Sequence, residues 1–318
     1  KGVTAGDYGN DGDLDLYASN LSANRLYRND GALRFTDVAP KLRVTQPEGR
    51  SFAPWFFDWN HDGWLDLFVG AFKTDVGDVC ADHLGLPHDG AGARLYQNMR
   101  GRFLDMSFDA GLNHPWLPMG AGFGDLDGDG WLDVYLATGD PDYSTLTPNV
   151  ALRNDGGSRF VDVTTSAGLG HLQKGHGVAF ADFDHDGDQD LFNQLGGFYP
   201  GDAFRNALFE NPGHDHAWIH LRLEGVTSNR AGVGVRLSLV VETADGGERT
   251  IHRAVGSVSS FGGAPLRQEI GLGDAVALRR LEVWWPTSDT RQVFEDVPLR
   301  TQQLIVEDAD ALRELPLP

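Results

Sequence analysis

DYGNDGDLD at Asp7–Asp15, DWNHDGWLD at Asp58–Asp66, DLDGDGWLD at Asp125–Asp133 and DFDHDGDQD at Asp182–Asp190 are four copies of one nine-residue acidic loop. Oxygen-bearing residues stand at positions 1, 3 and 5, glycine at 6 and aspartate at 9, an order suited to a hard cation of calcium's size. The candidate ligands are Asp7, Asp11, Asp13 and Asp15; Asp58, Asn60, Asp62, Trp64 and Asp66; Asp125, Asp127, Asp129, Trp131 and Asp133; and Asp182, Asp184, Asp186, Asp188 and Asp190. Position 7 needs only a backbone carbonyl, so Trp64 and Trp131 can stand where Asp13 and Asp188 do. Solvated acidic turns would be the plainer reading, but crowded carboxylates repel one another unless a positive charge sits among them. Repetition at the same offsets favours three or four bound Ca2+ ions. Gly9 occupies position 3 of the first loop, which predicts the weakest of the four sites.

The flanks repeat with the loops. Short apolar runs (GVTAG, APWFF, GAGFG, GVAFA) precede them, and LDLYA, LDLFVG, LDVYLA and QDLFNQ follow, which reads as strand, tight loop, strand. Hairpins RLYRNDGALRFTDV, RLYQNMRGRFLDM, ALRNDGGSRFVDV and ALFENPGHDHAWI supply a third and fourth strand to each unit. Four-stranded units in radial repetition make a β-propeller. An EF-hand would need a bidentate Glu at position 12 and flanking helices, whereas Ala18, Val69 and Leu136 stand there in the first three loops. A calcium-binding β-helix would repeat far more tightly than these units do.

These units resemble the calcium-binding FG-GAP or VCBS repeats of integrin-like propellers. The tail resembles the ASPIC/UnbV domain that follows such propellers in the cartilage acidic protein-like family, on the strength of SNRAGVGVRLSL at Ser228–Leu239, IGLGD at Ile270–Asp274 and VWWPTSDTRQVFEDV at Val283–Val297. The resemblance implies an all-β chain, with propeller repeats over 1–215 and a small antiparallel β-sandwich-like domain over 216–318. The literal FGGAP at Phe261–Pro265 falls in the tail and reads as part of a glycine-rich turn. Successive side chains of a strand face opposite ways, so one of Trp284 and Trp285 is expected in the sandwich core and the other outside it.

Acidic residues number 46 against 26 basic, a formal charge of −20 that repels nucleic acid and leaves no basic stripe to follow phosphates. No apolar stretch is long enough for a transmembrane helix. Cys80 is the single cysteine, so ions rather than disulfides would staple the fold. Loops that fill at extracellular calcium levels imply a secreted or periplasmic location, although no signal peptide is present in the sequence. Four repeats are fewer than the six to eight usual for such propellers, so a further N-terminal segment or a protein partner is expected to complete the ring.

The face opposite the acidic loops gathers Trp55, His114, Trp116, His171 and His176 just upstream of first strands, with Tyr143 and Tyr199 after second strands. Imidazole and indole there could serve a small-molecule ligand or a catalytic step. The insertion Lys73–Gly92 concentrates Asp75, Asp78, Cys80, Asp82, His83 and His88 in what reads as a loop, without a recognised zinc spacing. Three functional readings follow: a calcium-stabilised binding or assembly module, a lyase- or cyclase-like enzyme using the His/Trp face, and an accessory subunit of a redox or catalytic complex. A propeller can host any of them, so the fold does not choose.

Overall fold

A computed structural model describes residues 2–140, 142, 145–197, 199–256 and 261–317; Tyr143 lies outside them. In chain order the elements are β1 (Val3–Gly6), β2 (Asp15–Ala18), β3 (Arg25–Asn29), β4 (Phe35–Asp37), α1 (Ala39–Leu42), β5 (Ser51–Phe57), β6 (Asp66–Ala71), α2 (Val76–His83), β7 (Arg94–Asn98), β8 (Phe103–Asp105), β9 (Pro118–Gly124), β10 (Asp133–Thr138), β11 (Val150–Asn154), β12 (Phe160–Asp162), β13 (Gly175–Ala181), β14 (Asp190–Leu195) and β15 (Ala207–Phe209). The tail adds β16 (Ala217–Glu224), β17 (Arg236–Thr243), β18 (Glu248–Ala254), β19 (Gly262–Gly263), β20 (Gln268–Gly273), β21 (Ala275–Trp285), β22 (Thr290–Val297), β23 (Thr301–Val306) and β24 (Arg313–Leu315). Among the described residues the chain is all-β apart from two short helices, as its punctuation by Gly, Pro and Asn requires.

Each acidic loop turns the first strand of a repeat back into the second, and the register closes on the loop: Gly6 faces Asp15, Phe57 faces Asp66, Gly124 faces Asp133 and Ala181 faces Asp190. The first three repeats are four-stranded antiparallel meanders. Their first strands lie side by side, β1 against β5, β5 against β9 and β9 against β13, an arrangement consistent with a propeller-like fold. Alternate residues of the second strands point to opposite neighbours. Tyr17 packs forward onto Phe56, Leu67 and Tyr96 of the second repeat, and Tyr135 packs forward onto Val178, Phe180 and Leu191 of the fourth. Between the second and third repeats Trp55, Phe57 and Phe68 meet Ala121, Val134 and Leu136.

The fourth repeat departs from the expected hairpin. ALFENPGHDHAWI supplies only β15, and its AWI opens β16 in the tail. Its sheet runs β15-β14-β13-β19, so the fourth strand is borrowed from the tail and lies parallel to β13 on the inner side. The FGGAP stretch is therefore a sheet strand as well as a turn. Only small residues fit so near the axis: a side chain on Gly120 would collide with the backbone carbonyls of His176 and Phe261.

The tail folds as two four-stranded sheets, β20-β16-β23-β24 and β18-β17-β21-β22. All pairings are antiparallel except β16 with β23. Ile219, Leu221, Leu237, Leu239, Leu281 and Val283 fill the space between them. Trp285 is fully buried in that core, while Trp284 lies outside it under the Arg291 guanidinium, 4.7 Å from the ring centre.

Candidate metal centres

In every loop the backbone first organises the carboxylates. The position-9 aspartate accepts from the N–H of position 2: Tyr8 to Asp15 at 3.2 Å, Trp59 to Asp66 at 3.1 Å, Leu126 to Asp133 at 2.9 Å and Phe183 to Asp190 at 3.0 Å. Its other oxygen accepts from an asparagine N–H just past or at the end of the third strand: Asn29 at 2.8 Å, Asn98 at 2.7 Å, Asn154 at 2.8 Å and Asn211 at 2.8 Å. In the first three loops Oδ2 of the position-1 aspartate accepts from the glycine N–H at position 6: Gly12 to Asp7 at 3.0 Å, Gly63 to Asp58 at 2.8 Å and Gly130 to Asp125 at 3.0 Å. Positive φ at Gly12, Gly63, Gly130 and Gly187 lets the loop turn back on itself.

The result is a set of carboxylates held out of water and close together. Burial pushes Asp15, Asp58 and Asp125 up to about 7, and pushes Asp66 and Asp133 well above the usual carboxylate range. Asp188 is raised to about 7 by burial and then by Asp186, Asp190 and Asp184. Oxygens of Asp125, Asp127 and Asp133 lie within 4.8 Å of one another, as do oxygens of Asp182, Asp184 and Asp186. Asp125 Oδ1, Asp127 Oδ1, Asp182 Oδ2 and Asp188 Oδ1 are buried without a hydrogen-bond partner among the described residues. A buried, unpaired carboxylate oxygen is costly, and an all-oxygen donor set fits a hard divalent cation. These acidic clusters could bind metal. Hydrogen bonds within the second loop, from Asn60 Nδ2 to Asp62 Oδ2 at 3.1 Å and from the Trp64 N–H to Asp62 at 2.9 Å, keep its donors grouped as well.

Two devices at these loops were not read from the sequence, although the first recurs there as the asparagine of RLYRN, RLYQN, ALRN and ALFEN. The first is the side-chain amide of that same asparagine, which reaches back to the previous repeat's loop. Asn98 donates to Tyr8 O at 2.8 Å, Asn154 to Trp59 O at 2.9 Å and Asn211 to Leu126 O at 2.7 Å. The second is a set of tail side chains laid across the loops. Arg236 donates to Asp7 O, Arg249 to Asp129 O at 2.6 Å, Arg253 to Gly130 O at 2.8 Å and Arg267 to Asp182 O at 3.3 Å, while His216 Nδ1 lies 2.7 Å from Asp127 O. His61 is sandwiched where these layers meet. Its Nε2 is 2.9 Å from Gly130 O, and burial followed by the Arg253 charge lowers its imidazole to about 2.

Residue 2 of each loop packs forward, with one exception. Tyr8 meets Phe103 at 5.5 Å between ring centres, Trp59 meets Phe160 at 5.8 Å, and Leu126 packs beside Phe209. The repeat pattern predicts the same packing for Phe183, but that ring is 47% exposed. The partner in the other three cases is an aromatic residue on an outer strand of the following repeat, and Phe183 has no such repeat after it.

On the opposite face the structure scatters the aromatic and imidazole candidates. Trp55 is fully buried and stacked on Phe68 at 4.0 Å, so it packs the core between repeats. His171 bonds the Gln173 N–H at 3.0 Å, and His176 lies between Met119 Sδ at 2.8 Å and Gly196 O at 2.9 Å. His114 and Trp116 are neighbours, 5.0 Å between ring centres. His114 Nδ1 meets Asp82 at 2.7 Å, and the other Asp82 oxygen meets His88 Nε2 at 3.2 Å. The insertion is not all loop: Asp75 and Asp78 form a reciprocal capping box that starts α2. A cleft of about 450 Å3 under this helix is lined by Cys80, Asp82, His83, Trp116 and Leu146.

An FG-GAP-like repeat model matches residues 7–69 and 125–192, and an ASPIC and UnbV model matches residues 225–312. No curated protein matches the chain. Among solved structures, the Tc holotoxin pore of Photorhabdus luminescens is similar over 66% of this chain at 20% identity with a TM-score of 0.29, and the chain spans 9% of that one. The first, second, third and fourth acidic loops all fall inside the FG-GAP-like matches, and the arginines laid over them fall inside the tail match: the chain is built of FG-GAP-like repeats followed by an ASPIC and UnbV domain.

Proposed function

We propose that this chain is a calcium-stabilised extracytoplasmic binding or assembly module. The observation that carries the reading is the set of clustered loop carboxylates with buried, unpartnered oxygens. Asp58, Asp62 and Asp66, with their counterparts in the other loops, would hold the ions. Ca2+ supplies only positive charge and coordination there. The chain's own work is to orient the donors through the glycine and asparagine N–H groups and to cover the loops with the tail.

Both ends of the row of repeats support the assembly part. At one end Val3 is 61% exposed, and the Asn29 amide, among the described residues, bonds only Leu14 O within its own repeat. At the other end Phe183 and Leu208 are exposed. Further repeats or a partner protein seated at these ends would restore the contacts made between the internal repeats. Calorimetry tests the ion reading. Saturating Ca2+ is expected to raise Tm and EDTA to lower it, because an ion that binds only the folded loops stabilises them by mass action. Equal Tm in both conditions overturns it.

A further inference from the structure

One bond is common to three of the four acidic loops and missing from the fourth. In the first three, position-1 Oδ2 is satisfied by the glycine N–H at position 6. In the fourth, Asp182 Oδ1 accepts from the Asp186 N–H at 3.2 Å, while Oδ2 is buried without a hydrogen bond. That free oxygen faces the tail. His220 Nε2 stands 3.7 Å from it, and both side chains are 1% exposed.

The tail strand leaves the imidazole little alternative. Ile219 and Leu221 of β16 point into the sandwich core, so Trp218 and His220 project from its other face onto the fourth loop. Trp218 closes against Gly187, where a Cβ would stand 2.2 Å from the indole, and its ring lies 4.5 Å from that of His220. Among the described residues neither ring nitrogen of His220 has a hydrogen-bond partner. A buried polar ring with both nitrogens unpaired carries a desolvation cost that nothing repays. Asp188 Oδ1 in the same loop is also unpaired, and Asp182, Asp184 and Asp186 already bring oxygens within 4.8 Å of one another. Arg267 lies 3.9 Å from Asp182 Oδ2, but its charge is taken up by Glu269 at 2.6 Å.

We propose that the fourth loop is a divalent-ion site shared between the repeats and the C-terminal domain, in which His220 supplies an imidazole nitrogen beside the loop carboxylates. The separation of 3.7 Å lies within the span of two donors each about 2.1 Å from one ion. A nitrogen donor moves preference from a hard cation toward a borderline transition ion such as Zn2+, and Mn2+, which shares calcium's liking for oxygen, serves as the paramagnetic reporter of the site. The fourth loop is thus the selective member of the set, and its ion ties the two domains together. This inference rests on the reading that the loops take divalent ions.

Mn2+ is the probe. Protein held in excess Ca2+ is titrated with Mn2+, and pulsed electron paramagnetic resonance then records coupling to imidazole nitrogen. The expected result is one Mn2+ retained against Ca2+ with a nitrogen signal. His220→Gln is expected to abolish that signal and weaken Mn2+ binding by about tenfold or more, leaving the Ca2+-induced rise in Tm in place. Asp186→Ala removes a carboxylate from the exposed part of the loop without touching β16, so it probes the same site if the histidine variant does not fold. Wild-type Mn2+ without nitrogen coupling, coupling that survives His220→Gln, or Mn2+ affinity unchanged by Asp186→Ala overturns the proposal. Failure of Ca2+ to raise Tm would instead remove the calcium reading, which is a separate measurement.

Discussion

Glu307 keeps a carboxylate almost wholly out of water by collecting hydrogen bonds. Its oxygens accept from the N–H groups of Val226, Thr227 and Ser228 at 2.6, 2.7 and 2.8 Å, and from the hydroxyls of Ser228 and Ser288 at 2.7 and 2.6 Å. Burial pushes the group up, but these donors outweigh it and hold it down at about 2. A folded value below the unfolded one contributes stability that is present above about 4.5 and lost as pH falls toward 2. Glu307→Gln replaces a charged acceptor with one that presents its own N–H groups to donors, and about 2–3 kcal/mol of stability is expected to go at pH 7. Urea unfolding at pH 7 and pH 3 checks this, since the difference between wild type and variant should shrink at the lower pH. The loop carboxylates carry the opposite sign. Asp15, Asp58 and Asp125 are raised to about 7 by burial, so their contribution is fully present below about pH 4 and is lost as pH rises through 7. Ion-free protein in EDTA is therefore expected to melt lower at pH 8 than at pH 5; a Tm that rises over that interval would contradict this account.

At the scale of elements, the repeats are joined by apolar packing and by one asparagine each. Asn154 is 1% exposed, donates to Trp59 O and Leu132 O, and accepts from the Gly157 N–H at 2.8 Å. Asn29 holds the matching place in the first repeat with no bond to another repeat's loop among the described residues. Asn154→Ala is expected to cost about 2–4 kcal/mol, since it strands buried backbone groups, and Asn29→Ala clearly less. Equal losses in urea unfolding would show that the reach between repeats contributes nothing. Much of this architecture is legible in the sequence, because ligand offsets and strand periods are local. The loops, the strand-loop-strand frame and the change of pattern after β15 come from residues within a few positions of one another. The asparagines do recur, in RLYRN, RLYQN, ALRN and ALFEN, but Asn29 and Asn154 sit beside turn residues, and their shape suits a turn as well as a tie. The tail arginines do not announce themselves, since their partners on the loops lie more than eighty residues away. Phe183 and the borrowed strand at Gly262–Gly263 differ from expectation because the tail, not another repeat, follows the fourth: it lends a strand to β13 and leaves Phe183 uncovered.

Across the whole molecule the two halves of the sequence answer each other in charge. Arg236 sits by Asp7 and Asp58, Arg253 by Asp125 and Asp58, Arg249 by Asp129 and Arg267 by Asp182. One divalent ion in each loop would still leave every loop net negative, so occupied loops and the arginines are compatible neighbours. The cover is uneven. Positions 3 and 5 of the fourth loop, Asp184 and Asp186, are exposed, whereas Asp127 and Asp129 of the third lie half-buried beneath Arg249 and His216. For loops that hold ions, as proposed, that difference would set an order of exit: a chelator would reach an ion through the open side of the first, second or fourth loop, but at the third it would wait for the roof to lift. Stopped-flow removal of Ca2+ is expected to show a fast phase and a slow phase, the slow rate independent of chelator concentration because the chain's own opening limits it. Arg249→Ala should quicken the slow phase alone, which would make the C-terminal domain a clock for ion release as well as a cover.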